Sequence, residues 1–248
     1  LYLVHSMQPS TRLNQSNFED TDLLLADNFS RAAEACSLSH IVYVGGILPK
    51  DNLNISKHLQ SRYEVERVLG SRQTPITPIR AGIIIGPGGS SFNIVKKLVK
   101  NLPVMACPSW TKSNNQPIDL RVALNCINHT LGNSSLYGHP IEIGGTQIVQ
   151  YMDLLKLTAK EMNKKRWIFS VPFFSLGMSK LWVGLFSGSS PNFVSPLIES
   201  LRYDMTLKDQ DFLSIFPEFT LTETIKRALD ESVIIPKIPA GMAPIKDK

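Results

Sequence analysis

The 248-residue chain is poor in cysteine: it has three thiols (Cys36, Cys107, Cys126) and no Cys-x-x-Cys pair. An odd number of scattered thiols argues against a disulfide scaffold or a cysteine zinc site and suits a reducing cytoplasm. The five histidines show no metal-ligand spacing, so no metal is assigned. No basic-then-apolar leader opens the chain, and Leu1-Tyr2-Leu3-Val4 reads as a buried strand cut from something longer. Without a leader, sequons such as those at Asn28, Asn54, Asn128 and Asn133 read as chance. Lys and Arg outnumber Asp and Glu by 26 to 21, but the densest basic run is only Lys164-Lys165-Arg166. Such a field favours phosphate-bearing ligands and is too diffuse for nucleic acid. No Gly-x-Ser-x-Gly occurs, which leaves no case for a serine hydrolase triad. Long apolar runs are also absent. The most apolar window, 167–186, is interrupted by Pro172, Gly177 and Lys180. It reads as a kinked, mostly buried helical segment or a lid, with attachment to a membrane as the minor alternative.

What is present is an ordinary globular composition, 43% hydrophobic and 19% charged, long enough for one large domain. Residues 25, 29, 32 and 36 (Leu, Phe, Ala, Cys) are spaced 4, 3, 4, which predicts a helix from about 20 to 36 with that face inward. Ile41-Val42-Tyr43-Val44, stopped by Gly45-Gly46, predicts a buried parallel strand. A helix over 56–69 carries Ser61, Val65 and Val68 on one face. Strand is expected at 76–80 and 83–85, helix at 91–101, strand at 102–106, helix at 120–131, strand at 140–143 and helix at 150–162. A last helix opens on Thr220 and Glu223 in capping-box spacing. Alternating strand and helix with short connections predicts an α/β fold with a Rossmann-like parallel sheet. A soft boundary near residue 88 separates a dinucleotide half (1–88) from a mostly helical cap (89–248) interleaved with the remaining sheet elements.

Four stretches, in order, carry a family resemblance. Val4-His5-Ser6 resembles the strand end Val-x-His-Leu-Ala of extended short-chain dehydrogenases, which passes beside the cofactor. Val42-Tyr43-Val44-Gly45-Gly46 is similar to the strand that delivers that family's catalytic serine. His58-Leu59-Gln60-Ser61-Arg62 resembles its Tyr-x-x-Ser-Lys signature, with Glu66 at a commonly acidic position. Arg80 to Gly88 resembles Arg-Pro-Gly-x-x-x-Gly-Pro-Gly and is the most specific of the four. The likeness is good over about 1–130 and extends through Ile143-Gly144-Gly145. Beyond Met162 it is only general, toward the NmrA-like and epimerase-like groups.

The resemblance implies NAD or NADP as cofactor and a small carbonyl or hydroxyl compound as substrate, and leaves room for a homo-oligomer. It places His5, Ser6, Gly45, Gly46, Arg62, Ala81, Gly82 and Ile83 around the cofactor. Asp119 falls at an acidic position that mainly caps a helix, and Arg80 is expected to anchor a loop or a carboxylate. Two departures matter. The glycine-rich phosphate turn of the family is absent, so the chain aligns from the fourth strand onward and its sheet is expected to lack its first strands. Dinucleotide binding would then need an upstream segment, because pyrophosphate is held by N–H groups at a helix N-terminus behind that turn. The second departure is chemical: His58, Arg62 and a glycine replace tyrosine, lysine and serine. His58 could donate a proton near neutrality, whereas Arg62 can hold a ribose but cannot itself transfer protons. Two outcomes stand side by side, an oxidoreductase with His58 and Arg62 as catalytic residues and a cofactor-binding redox sensor with little turnover. A membrane-associated accessory protein is a third.

Overall fold

The computed structural model describes residues 2–5, 18–49, 56–171, 202–208 and 211–230. Its centre is a parallel sheet of β1 (Tyr2–His5), β2 (Ile41–Gly46), β3 (Ile76–Ala81) and β8 (Ile141–Ile143), side by side in that order. Strand β8 comes from well beyond residue 88, so both parts of the chain build this sheet.

Helices α1 (Phe18–Ala35) and α2 (Lys57–Leu69) connect the first three strands. Each is a crossover, which parallel strands require. β2 alternates as a strand with both faces covered must. Ile41 and Tyr43 pack under α1 and α2 with Ala26, Ala33, Val65 and Leu69. Val42 and Val44 pack with Ile79, Ile141 and Ile143 against Val122, Ala123 and Cys126 of α4 (Leu120–Thr130). The outcome is a three-layer α/β/α arrangement.

Ser56 caps α2 by accepting the Leu59 N–H, and the buried face of that helix includes Ser61 and Val65 as the spacing predicts. α1 differs. Its inward residues are Asp22, Ala26, Ser30 and Ala33, while Leu25 is 40% exposed. The helix is turned by one residue from the apolar pattern. Small side chains on that face let α1 lie close to α2, and the close approach outweighs burying a leucine.

Around the sheet run shorter strands: β4 (Ile84–Ile85) beside β7 (Ile118–Asp119), β6 (Asn114–Asn115) beside β9 (Val149–Gln150), and β5 (Val104–Cys107) beside β10 (Trp167–Ser170). With α3 (Ser90–Asn101), α5 (Tyr151–Glu161) and α6 (Leu221–Leu229) they enclose a second core. It includes Phe92, Leu98, Met105, Tyr151, Leu154 and Ile225. The Thr220–Glu223 capping box at the start of α6 forms as the spacing predicts.

Residues 167–170 correct the expectation of a buried helical segment. They form a strand, paired parallel with β5 and leaving Trp167 exposed; the alternation Trp-Ile-Phe-Ser has period two, and β5 offers a free edge. The rest of that window, including Pro172, Gly177 and Lys180, lies outside the described residues. No helix among the described residues is long and apolar enough to cross a membrane.

Candidate active site

Because the sheet is parallel, its strands end along one edge. His5 sits opposite Val44, Gly45 opposite Arg80, and Gly46 opposite Ala81. Ser6 lies outside the described residues.

α2 returns antiparallel over this sheet. Its Leu59 side chain approaches Gly46, its Arg62 carbonyl accepts a hydrogen bond from Tyr43 Oη at 3.3 Å, and Gly70 reaches Ile76 at the opposite edge. The first turn of α2, which carries His58, therefore overhangs the ends of the strands. The chain brings His5, Gly45, Gly46, Ala81 and that turn together.

Of the two glycines only Gly46 leaves room there, since a Cβ on Gly45 would lie 3.1 Å from Tyr43 Cε1. Among the described residues, a Cβ on Gly46 would meet only Leu59 Cδ2, at 3.8 Å, an ordinary contact. Position 46 could thus hold a serine, and the missing hydroxyl is a property of the sequence rather than of the space.

Arg62 turns toward α1, its Nη1 3.9 Å from Asp22 Oδ2. Asp22 is buried, and burial raises its carboxyl above the usual range while Arg62 only partly opposes the shift. Among the described residues, Asp22 Oδ2 and the buried Ser61 Oγ have no hydrogen-bond partner. Unpaired buried polar atoms are uncommon in folded proteins, so the seam around Arg62 has unfilled hydrogen-bonding capacity. Composition and motif spacing gave no signal for Asp22, whose role comes from helix packing.

One turn further along α2, Glu66 grips Arg80 through two hydrogen bonds, 2.7 and 3.1 Å. Burial disfavours the Arg80 charge, but the Glu66 carboxylate outweighs it and raises the pKa. Arg80 is thus a carboxylate anchor.

Residues 81–83 are bound up with the protein itself. The Ala81 carbonyl accepts from Ile47 N–H, Gly82 N–H donates to the Ile143 carbonyl, and the Ile83 carbonyl accepts from Ile118 N–H. A Cβ on Gly82 would come within 2.2 Å of the Gln116 carbonyl oxygen. The space that glycine opens is filled by residues 116–117 crossing the strand ends. The same segment presses on Gly145, where a Cβ would lie 2.2 Å from the Pro117 carbonyl oxygen.

Gln116 fixes this crossing: its Nε2 donates to the Gly145 carbonyl at 3.0 Å and its Oε1 accepts from Leu207 N–H at 2.6 Å. Asp119 caps α4 and also holds Arg121 and Thr224. Its burial raises the pKa, but those hydrogen bonds win and the carboxyl is lowered.

A cavity of about 270 Å³ lies beside the end of β8 and the start of α4. Asp119, Thr146, Gln147, Glu218, Phe219 and Leu221 are among the residues that line it. None of the strand-end residues reaches it. The sequence reading missed this pocket because its walls converge from three distant stretches, 117–122, 144–147 and 211–224.

Two of the three cysteines, Cys107 and Cys126, are buried, and burial pushes their thiols up to about 11 and about 12. They are poor nucleophiles.

No family model and no curated protein matches the sequence. Solved structures do match in three dimensions. The triphenylmethane reductase of a Citrobacter species, solved with NADP(H), superposes with a TM-score of 0.66 at 14% identity, over 92% of this chain and 75% of that one. A nucleoside-diphosphate-sugar epimerase from Staphylococcus aureus gives 0.67 at 13%, over 90% and 76%. The dTDP-glucose 4,6-dehydratase of Bacillus anthracis, solved with NAD, gives 0.59 at 12%, over 91% and 70%. At such identities the likeness is one of fold, and the chain has a Rossmann-like α/β fold.

Proposed function

We propose that this protein binds NAD or NADP along the strand ends and acts as an oxidoreductase on a small carbonyl or hydroxyl compound. The observation carrying this reading is the alignment of His5, Gly45, Gly46 and Ala81 on one sheet edge beneath the first turn of α2. Solved structures of the same fold that hold NADP(H) or NAD support it.

The residues fit one half of the cofactor. The open space at Gly46 and the Asp22 and Ser61 oxygens that lack a hydrogen bond among the described residues suit a nicotinamide and its ribose. The sequence contains no glycine-rich strand–turn–helix to grip a pyrophosphate. When bound, the nicotinamide supplies or accepts the hydride. Arg62, which reaches toward Asp22, would hold the ribose hydroxyls and lend positive charge to the site. His58 would give a proton to the substrate oxygen during reduction, or take it during oxidation, as an imidazole can do in either direction. Gly46 leaves the substrate oxygen without the hydroxyl donor that a serine would provide.

Binding without turnover is the rival reading, favoured by that missing donor and by the engagement of Arg62 with Asp22. Fluorescence titration with NADH, NADPH and reduced nicotinamide mononucleotide tests the site. The mononucleotide should bind this chain within about threefold of the dinucleotides, since its sequence holds no glycine-rich turn for a pyrophosphate. Arg62→Ala should weaken both tenfold or more, because a charged hydrogen bond contributes about 1.5–3 kcal/mol. No binding at millimolar ligand, or binding indifferent to Arg62→Ala, refutes the site. Turnover on a panel of aldehydes and ketones that His58→Ala abolishes without loss of binding supports catalysis, and Gly46→Ser should then raise the rate. Tight binding with no turnover on any compound identifies a sensor.

A further inference from the structure

Among the described residues, the β5–β10 ribbon has one covered face and one exposed face. Met105 and Cys107 of β5 point into the second core, and Ile168 of β10 packs against it. The opposite face carries Val104, 50% exposed, Trp167, 76% exposed, and Phe169, 47% exposed. Trp167 lies directly beside Val104, and Phe169 beside Ala106, in the parallel register. The apolar side chains therefore form one contiguous patch. A scattered leucine on a surface is unremarkable, but a bare strand face bearing tryptophan and phenylalanine marks an interaction surface.

The stretches that form the ribbon carry charge of one sign. The described stretches that build and flank the ribbon, 90–118 and 162–171, contain no aspartate or glutamate, yet they carry Lys96, Lys97, Lys100, Lys112, Lys164, Lys165 and Arg166. Lys97, Lys100, Lys164 and Lys165 are exposed. Arg166 is the clamp: it donates to the Val99 carbonyl at 2.7 Å and to the Lys100 carbonyl at 3.1 Å, on the last turn of α3. Trp167 N–H donates to the Pro103 carbonyl at 3.0 Å. These bonds hold Lys100, Lys164 and Lys165 at the same end of the ribbon as Trp167 and Val104. Nearby carboxylates are engaged elsewhere, Glu161 with Lys226 and Asp153 with Lys156.

We infer that this face docks onto an anionic lipid surface. Indole and phenyl rings favour the headgroup–acyl boundary, and lysines beside them meet anionic headgroups. A protein partner would need complementary shape that a small two-stranded face does not define, whereas a lipid surface asks only for apolar and basic groups on one side. Docking there is separate from the strand-end site and does not depend on cofactor binding.

Co-sedimentation of the whole chain with vesicles of 30% phosphatidylglycerol in phosphatidylcholine, against phosphatidylcholine alone, is the test. The chain should pellet with the anionic vesicles and be released by 0.5 M salt. Trp167→Ala with Phe169→Ala, and separately Lys164→Gln with Lys165→Gln, should each weaken binding. A factor of about five per lysine corresponds to the usual attraction of one basic residue to an anionic surface. All four changes are on exposed side chains, so thermal unfolding should be unaltered and loss of binding cannot be laid to misfolding. No pelleting at low salt overturns the inference. So does pelleting that survives both double variants, which would place the attachment elsewhere in the chain. A concentration-dependent dimer abolished by Trp167→Ala, with no vesicle binding, overturns it in favour of a second copy covering the face.

Discussion

Replacing Gln116 should destabilise the fold more than its size suggests, since a single side chain there ties three distant segments together. It is 1% exposed, its Oε1 accepts the buried Leu207 N–H at 2.6 Å, and its Nε2 donates to the Gly145 carbonyl at 3.0 Å. Gln116→Ala leaves the Leu207 N–H unpaired in the interior, which costs about 1–3 kcal/mol. The deleted atoms leave a small void worth about 1 kcal/mol more. The sum, roughly 2–4 kcal/mol, should lower the urea midpoint by about 1–2 M at a slope near 2 kcal/mol/M. Gln116→Met keeps the volume and loses only the polar contacts, so it should fall about 1 kcal/mol short of the alanine loss. Gln116→Glu keeps the acceptor for Leu207 but sets a carboxylate against the Gly145 carbonyl, and should regain stability as the pH is lowered. Urea denaturation followed by circular dichroism measures all three. If Gln116→Ala and Gln116→Met both unfold within 0.5 kcal/mol of the parent, the crossing is not held by this side chain and the reasoning fails.

Other perturbations probe different parts of the fold. His40 is buried with its Nδ1 accepting from Gly132 N–H at 3.2 Å, so its Nε2 donates to Thr77 Oγ1 at 2.9 Å. Burial lowers its pKa, so the unfolded chain binds a proton more readily. Stability from this neutral ring is complete above the unfolded value near 6.5 and is lost as pH falls below it. Parent and His40→Asn should therefore converge in stability as pH drops from 7 to 5, in matched denaturation curves; parallel curves would refute the assignment. Glu66→Ala strands the Arg80 guanidinium in a half-buried place and should cost about 2–3 kcal/mol, somewhat below a fully buried pair because Glu142 is near. Adding Arg80→Met should recover most of that loss, read from the same curves. Gly82→Ala must displace the main chain at Gln116 and should leave little folded protein by circular dichroism, whereas Gly46→Ala, which meets only Leu59 Cδ2, should fold normally.

Much of the architecture follows from local pattern. The β-branched run 41–44, the Ser56 cap and the Thr220–Glu223 box each specify their element from a few adjacent residues, and the structure forms all three. The motif order also foretold which strand ends lie side by side, since parallel strands joined by helices leave little choice of edge. The face of α1 was not legible: Leu25 looks like core in the sequence, but packing against α2 selects the small residues one position on. Trp167–Ser170 was misread for a similar reason. Four residues cannot declare a strand until a partner edge is at hand, and β5 supplies it from sixty residues away.

Within the candidate site, the sequence by itself determined the chemistry: an imidazole and a guanidinium four residues apart on one helix, glycine where a hydroxyl would stand, and no pyrophosphate turn. Only the tertiary structure decided what those groups meet. It turned Arg62 toward Asp22, filled the Cβ side of Gly82 with the chain at Gln116, opened a cavity between three distant stretches and left the Trp167 face bare. Local pattern records what each short segment prefers for itself. Those pairings join residues far apart in the chain, so they are set by which surfaces fit once the segments are brought together.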